Sequence, residues 1–171
     1  MDDSKNRRIW IIAGEASGDL YGARLAKELW RLSAPGLKVE GMGGPEMRKA
    51  GVGILVESSE LCVVVFVEVL ENIGKFIRIL VFLRREAARL RPDAVVLVDY
   101  PGFNIRFARM LWRLGIPVVW YISPQVWVWR KSNIPRLAKY CSKMMLIFPF
   151  ETETYEGSGL DAEFVGHPLV D

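Results

Sequence analysis

Short apolar runs alternate along this chain with longer segments in which apolar and polar residues recur at helical spacing. The runs have the length of buried strands, and they predict strands at 9–13, 37–41, 54–56, 94–98, 117–122, 143–148 and 162–165. The segments between them predict helices at 19–32, 46–50, 104–114, 132–140 and 151–158. Because strands alternate with helices, we predict an α/β fold with a doubly wound, Rossmann-like parallel sheet.

Residues 61–91 form a long apolar stretch. The stretch is long enough to span a membrane, but it contains charged and amide side chains at Glu68, Glu71, Asn72, Lys75 and Arg78. Each of these side chains would be costly at the centre of a bilayer. We therefore reject a spanning segment and predict a helix from residue 73 onward, apolar over most of its circumference and with a basic margin. Two interpretations stay open: a helix that lies in the interface of an anionic membrane, or a core helix with a solvated basic end.

Charge and composition narrow the classes of site. The formal net charge of +3 is too small to indicate nucleic acid binding. The two cysteines, Cys62 and Cys141, and the single histidine, His167, disfavour a disulfide framework and a zinc site. The low cysteine count suits a protein of the reducing cytosol. We expect no secretory signal, since residues 1–8 contain no apolar core.

Polar residues that follow predicted strands are the candidates for a ligand site, because open α/β sheets bind ligands at the carboxyl ends of their strands. Asp99 follows the run at 94–98, which has no polar residue and is typical of a strand buried on both faces. Partial burial there favours a general base with a raised pKa, although an aspartate that caps the next turn has the same pattern.

The loop after the first strand carries Gly14, Glu15, Ser17, Gly18 and Asp19. Ser17 fits the N-cap of the next helix, and the glycines leave that helix N-terminus open to a phosphate. The loop lacks both the G-x-G-x-x-G fingerprint and a Walker lysine, so we expect no standard nucleotide site there.

Two later loops carry aromatic or ionisable residues. Trp127 and Trp129 either fold back onto the core or form a wall for a sugar ring or an acyl chain. His167 fits a hinge or an ordinary loop histidine, and the chain has no Gly-x-Ser-x-Gly elbow.

Seven short motifs follow one another along the chain: AGEASGD, GMGGPEM, FVEVL, DYPGFN, YISPQVWVWR, FPFE and FVGHPLVD. In sequence and order they resemble the motifs of the lipid-A-disaccharide synthase family, and the resemblance extends from residue 9 to residue 171. Members of this family are inverting glycosyltransferases of the two-domain GT-B architecture. The resemblance implies that residues 1–171 are the N-terminal, Rossmann-like domain on the acceptor and membrane side, without the C-terminal, donor-binding domain.

The resemblance also implies the reaction of the complete protein. A 2,3-diacylglucosamine group would pass from UDP-2,3-diacylglucosamine to 2,3-diacylglucosamine 1-phosphate, giving lipid A disaccharide 1-phosphate and UDP, with no cofactor and no metal. The protein would be cytoplasmic and peripheral on the inner face of the inner membrane of a Gram-negative bacterium. Its partners would be these two substrates, the membrane surface and the missing C-terminal domain, with no nucleic acid.

Residue roles are implied by the same match. Asp99 corresponds to the aspartate proposed as the general base of the family. Substrate-binding residues are expected at Glu15, Ser17, Gly18, Asp19, Asn104, Ser123, Gln125 and Trp127. A membrane-facing patch is expected at Val64, Val65, Phe66, Val69, Leu70, Ile73, Phe76, Ile77 and Leu80.

The chain departs from the family pattern in two respects. Val64, Val65 and Phe66 stand where the family usually has a small glycine, which makes the patch more apolar. The chain also spans only one of the two domains. It is therefore either the acceptor half of an enzyme that is active only with its C-terminal half, or a truncated, non-catalytic module that binds acylated sugar or membrane.

Overall fold

The computed structural model describes residues 7–62, 69–124 and 131–169, and for residues 61–62, 69–72 and 131 it describes the backbone alone. Among the described residues, the strands form one parallel sheet in the order β3-β2-β1-β4-β5-β6-β7. The strands are β1 (Arg8–Ala13), β2 (Lys38–Gly43), β3 (Gly53–Glu57), β4 (Ala94–Val98), β5 (Val118–Tyr121), β6 (Lys143–Leu146) and β7 (Ala162–Phe164). This confirms the predicted doubly wound, Rossmann-like sheet.

Helices connect the strands close to the predicted positions. They are α1 (Ala16–Leu32), α2 (Pro45–Lys49), α3 (Ser59–Cys62), α4 (Val69–Leu90), α5 (Pro101–Arg113), α6 (Ile134–Tyr140) and α7 (Glu151–Tyr155), with a 3-10 turn at Lys131–Asn133 before α6. Helix α5 begins at Pro101, three residues before the predicted start. Proline suits a first helical position because its φ is already helical and its missing N–H has no partner to lose there.

The two faces of the sheet are covered by different helices. Ile11 and Ala13 of β1 belong to a core shared with α1 and α2. Trp10 and Ile12 belong to a second core, which β1 shares with α4, α5, α6 and α7. Strand β4 contributes alternate residues to both cores, so the prediction of a strand buried on both faces is confirmed.

The strand order reverses between β1 and β4, because the chain returns from β3 through α3 and α4 to the other side of β1. Ala13 pairs with Val98 in this register, so the loops that begin at Gly14 and Asp99 leave the sheet from adjacent positions. Such a switch point leaves a crevice at the carboxyl ends of the strands.

Candidate active site

Asp99 lies at the end of β4, in a backbone conformation that few residues adopt. Asp99 and Tyr100 both have a φ of 44°, in the left-handed region. The backbone N–H of Asp99 donates to the carbonyl oxygen of Tyr121 at 3.1 Å. The amide group of Asn104 donates to the carbonyl oxygens of Val98 at 3.2 Å and of Asp99 at 2.7 Å. Strained backbone of this kind persists where its surroundings hold it, and these hydrogen bonds do so.

Asn104 holds the end of β4 through its side-chain amide. Its side chain is fully buried in the first turn of α5, and its amide nitrogen is engaged with the end of β4. These bonds make Asn104 a support of the Asp99 backbone, and the expectation that Asn104 binds substrate stays a prediction.

The pKa of the Asp99 carboxyl is raised above its ordinary value. Burial is the largest cause, because it disfavours the charged form, and the negative charge of Glu15 raises the pKa further. A hydrogen bond from the backbone N–H of Tyr100 to the carboxylate opposes the shift. Asp99 is therefore a carboxylate with greater proton affinity than an exposed aspartate, which suits a general base.

A pocket of about 310 Å³ opens beside Asp99 at the carboxyl ends of β4, β5 and β6. Its lining residues are Asp99, Pro101, Ile122, Ser123, Ile147, Phe148 and Glu151. Ile122 has a φ of 66°, a rare value for a β-branched residue, so strained backbone occurs at two of the strand ends that form the pocket. An apolar and aromatic lining with a few polar groups suits a small organic ligand.

Three polar side chains form a hydrogen-bonded cluster at this pocket. Ser123, which the sequence predicted to bind substrate, lines the pocket, and its hydroxyl donates to Oε1 of Glu151 at 2.8 Å. The hydroxyl of Tyr155 donates to Oγ of Ser123 at 3.2 Å. Burial raises the pKa of Tyr155 to about 12, so this phenol stays protonated and remains a donor.

Asp19, which the structure places in the first turn of α1, supports the fold. Its side chain is 2% exposed, and its carboxylate accepts hydrogen bonds from the backbone N–H groups of Gly44 at 2.7 Å, Glu46 at 2.9 Å and Met47 at 3.1 Å. These groups form the N-terminus of α2, where a negative charge is favourable. This corrects the prediction of a substrate-binding Asp19, because the carboxylate is buried and its oxygens are already used.

Gly18 is buried in the first turn of α1, and its contact with substrate stays a prediction. A Cβ there would lie 3.4 Å from the Cβ of Ala13, so Gly18 packs directly against the end of β1. Glu15 and Ser17 are exposed. The predicted N-cap position of Ser17 is wrong, since α1 begins at Ala16 and Glu15 occupies the N-cap.

Gly14 allows the first loop to meet the loop after β4. A Cβ at Gly14 would lie 2.5 Å from the Tyr100 ring, so a larger residue would displace that ring. Only glycine leaves room for this contact, which joins the two loops at the switch point.

Gln125 and Trp127, which the sequence predicted to bind substrate, lie outside the described residues, as does Trp129. His167 is half-buried, and its ring packs against Phe148 with ring centroids 5.4 Å apart. Its Nδ1 accepts a hydrogen bond from the backbone N–H of Leu169 at 3.2 Å. This is the arrangement of a loop histidine with a local partner.

Helix α4 separates the predicted membrane-facing residues. Ile73 and Ile77 are 49% and 52% exposed, whereas Leu80 is 4% exposed and belongs to the core beneath the sheet-facing side of the helix. Leu80 is therefore corrected to a core residue. It follows Ile73 by almost two full turns and lies on nearly the same side of α4, so helical spacing does not separate the two residues. Leu80 is buried because it packs into the core together with Ile79, Leu83 and Ala87, whereas Ile73 lies near the start of the helix. Phe76 is half-buried and packs edge-on against Phe103, with centroids 5.3 Å apart.

The remaining residues of the predicted patch cannot be placed in this way. Val64, Val65 and Phe66 lie outside the described residues. Val69 and Leu70 lie in α4, but their side chains are outside the description. Within the described part of the chain, no helix is both long and apolar enough to cross a membrane.

Sequence reasoning missed Glu151 and Phe148 as pocket residues, although the FPFE motif contains both. The signal was available: the rule that ligands bind at the carboxyl ends of strands also applies to the predicted strand at 143–148. Applied there, it points to the segment that enters the pocket.

Comparison with known proteins adds a family match. The family model described as lipid-A-disaccharide synthetase matches residues 9–171. The lipid-A-disaccharide synthase of Geobacter sulfurreducens is 48% identical over 171 residues, which is 100% of this chain and 44% of that protein. The enzyme of the same name from Coxiella burnetii is 42% identical over 165 residues, 96% of this chain and 44% of that protein. The chain thus spans less than half the length of these relatives.

Solved structures share the fold. The UDP-GlcNAc 2-epimerase from Neisseria meningitidis, bound to UDP-GlcNAc, superposes with a TM-score of 0.68 at 9% identity, over 95% of this chain and 47% of that one. A calicheamicin glycosyltransferase superposes with a TM-score of 0.57 at 18% identity, over 95% of this chain and 53% of that one. At these identities the likeness concerns the architecture alone.

Proposed function

The chain belongs to the lipid-A-disaccharide synthase family, and we propose that it is the N-terminal, acceptor-binding domain of an inverting glycosyltransferase of lipid A biosynthesis. The proposed reaction of the complete protein transfers 2,3-diacylglucosamine from UDP-2,3-diacylglucosamine to 2,3-diacylglucosamine 1-phosphate. The products are lipid A disaccharide 1-phosphate and UDP. The observation that carries the proposal is the position of Asp99, a partly buried carboxylate at the switch point of the sheet and in the wall of a pocket.

In the proposed mechanism Asp99 is the general base. Its carboxylate takes the proton of the acceptor 6-hydroxyl as that oxygen attacks the anomeric carbon of the donor. The bond from this carbon to the UDP oxygen breaks, UDP leaves with the electron pair, and the configuration inverts. The raised pKa of Asp99 supports this role, because a base is most effective when its pKa is near the working pH.

We place the donor site mainly outside this chain. The chain spans 44% of the length of its Geobacter relative, and its first loop lacks the glycine fingerprint of a nucleotide site. A second domain of the full-length protein would bind UDP and close over the pocket beside Asp99, which would receive the acceptor.

We also propose that α4 rests on the cytoplasmic face of the inner membrane. Ile73, Ile77 and Val81 form an exposed apolar line at four-residue spacing. Exposed basic residues flank the line at Lys75, Arg78, Arg84, Arg85 and Arg89. An apolar line with basic flanks is typical of helices in the interface of an anionic bilayer. Because both proposed substrates carry acyl chains, a peripheral enzyme would meet them there.

The test is disaccharide formation by the full-length protein that carries this chain. We expect product and UDP from the wild type, and a kcat lower by on the order of a hundredfold or more for Asp99→Asn, as loss of a general base predicts. Asp161→Asn, at an exposed aspartate, is the matched control and should keep the wild-type rate.

Wild-type turnover in Asp99→Asn would contradict the assignment of the base. A wild-type protein that binds the acylated acceptor or anionic vesicles but forms no product would instead favour the non-catalytic module.

A further inference from the structure

Glu151 is a buried carboxylate in the pocket that the proposed base mechanism does not use. We infer that Glu151 is a positioning residue: it ties the loop after β5 to the loop after β6, so that Ser123 and Phe148 form a fixed wall of the acceptor pocket beside Asp99. The inference rests on the proposed function, because it assigns this pocket to the acceptor.

The hydrogen bonds of Glu151 join two strand ends. Its Oε1 accepts the hydroxyl of Ser123 at 2.8 Å, on the loop after β5. Its Oε2 accepts the backbone N–H groups of Ile147 at 3.3 Å and Phe148 at 3.1 Å, on the loop after β6. One carboxylate therefore sets the distance between the two loops that line the pocket.

Tyr155 completes the arrangement. It lies four residues after Glu151, on the same face of α7, and donates its hydroxyl to Oγ of Ser123 at 3.2 Å. Ser123 thus accepts from Tyr155 while its own hydroxyl donates to Glu151 at 2.8 Å and lies 3.2 Å from the carbonyl oxygen of Pro124, a second and more distant acceptor. A serine held in this way presents the pocket with one defined surface.

The burial of Glu151 distinguishes it from an ordinary acidic residue at a helix start. Its side chain is 1% exposed, and an ionised carboxylate is costly to bury unless hydrogen bonds compensate. Glu153, on the same short helix, is exposed.

We call the hydrogen bonds from Ser123, Ile147 and Phe148 to Glu151 the clamp. The clamp holds a part of the pocket wall that needs support to keep its conformation. Ser123 follows Ile122, whose left-handed backbone requires surrounding contacts to persist. The Phe148 ring lines the pocket and stacks on Phe150 with centroids 5.4 Å apart. An aromatic face offers a flat apolar surface to the C–H face of a sugar ring. Loss of the clamp would therefore weaken acceptor binding before it affected a donor held elsewhere.

The experiment compares Glu151→Ala, Glu151→Gln and Ser123→Ala in the full-length protein, with kcat and KM measured separately for acceptor and donor. For Glu151→Ala we expect the acceptor KM to rise on the order of tenfold, the effect of losing a hydrogen bond to a charged group, with the donor KM unchanged. Glu151→Gln retains one of the two acceptor oxygens, which can serve either Ser123 or the N–H groups of Ile147 and Phe148, and should recover part of the loss. Ser123→Ala should raise the acceptor KM in the same direction. Glu153→Gln is the matched control and should match the wild type.

Several results would overturn the inference. Lower thermal stability and lower kcat with both KM values unchanged would show a residue that only supports the fold. Wild-type kinetics in Glu151→Ala would show that Glu151 does not position the pocket wall. If Glu151→Ala does not fold, Tyr155→Phe decides: it removes a hydroxyl that holds Ser123 but does not line the pocket, and an unchanged acceptor KM in this variant would overturn the inference.

The two proposals fail separately. Wild-type values in the Glu151 and Ser123 variants, together with inactive Asp99→Asn, would reject the clamp and keep the proposed function. Absence of transfer by the wild type would reject the proposed function. The clamp would then be judged by direct titration with 2,3-diacylglucosamine 1-phosphate, and an equal Kd for wild type and Glu151→Ala would reject it too.

Discussion

The negative charge of Glu15 raises the pKa of Asp99, although the two residues follow different strands of the sheet. The register of β1 and β4 explains this, since Ala13 pairs with Val98 and the two loops leave from adjacent strand ends. The topology of the sheet thereby contributes to the proton affinity of the proposed base.

Glu15→Gln should shift the acidic limb of the pH profile of kcat/KM to lower pH. A general base acts in its deprotonated form, so activity falls as the pH drops through the pKa of Asp99. Removal of the nearby negative charge lowers that pKa, and the variant keeps a larger fraction of its plateau activity in acid. The pH profile of each full-length variant is normalised to its own plateau value of kcat/KM. This removes any change in the plateau itself, because Glu15 is also a candidate contact of substrate.

Glu28→Gln is the control for this experiment. Glu28 is an exposed residue of α1, the helix that follows Glu15, and among the described contacts it pairs only with Arg31. Its profile should superpose on that of the wild type. An acidic limb of Glu15→Gln that does not move, or that moves to higher pH, would contradict the electrostatic link.

Asp19→Ala should destabilise the protein without a specific effect on substrate binding. The variant leaves the buried N–H groups of Gly44 and Met47 without their acceptor, which costs about 2–3 kcal/mol in the free energy of unfolding. Urea unfolding measures this loss, and Glu28→Ala serves as the exposed control. A higher KM at unchanged stability would restore the original prediction that Asp19 contacts substrate.

Replacement of Ile73, Ile77 and Val81 together by serine should release the protein from anionic vesicles. These side chains are exposed, so the fold loses little, whereas partitioning falls on the order of a hundredfold at about 1 kcal/mol for each half-inserted side chain. Sedimentation with phosphatidylglycerol vesicles measures the loss, and thermal unfolding checks the fold.

Two comparisons sharpen this experiment. Leu32→Ser changes an exposed leucine at the end of α1 and should leave vesicle binding unchanged. Leu80→Ala should lower the free energy of unfolding by about 2–5 kcal/mol, as expected of a core residue. Undiminished vesicle binding by the triple variant would refute the membrane role of this face.

Much of the fold followed from local pattern. The apolar run at 94–98 predicted a strand buried on both faces, and β4 occupies those residues. Helix ends were less accurate: Pro101 begins α5, but Pro-Gly in a sequence is equally typical of a loop. The spacing of apolar residues predicts well whether a segment is a helix or a strand, but it predicts poorly the residue at which a helix begins.

The position of Asp99 could be predicted because the carboxyl-end rule needs only the strand that precedes it. The roles of Asp19 and Asn104 could not, since each depends on partners from another element: the N-terminus of α2 for Asp19 and the end of β4 for Asn104. Both are polar residues beside a strand end, and polarity alone does not tell a ligand contact from a buried hydrogen-bonding group.

The sequence by itself determined the order of strands and helices, the strand end that carries Asp99 and the apolar character of α4. Only the tertiary structure decided which face of α4 is exposed, that Glu15 acts on Asp99, and that Glu151 holds Ser123 and Phe148 at one pocket. Periodicity and strand ends are properties of neighbouring residues. Burial, proton affinity and hydrogen bonding in this site arise from residues that are distant in the chain and meet only when the parallel sheet brings its strand ends together.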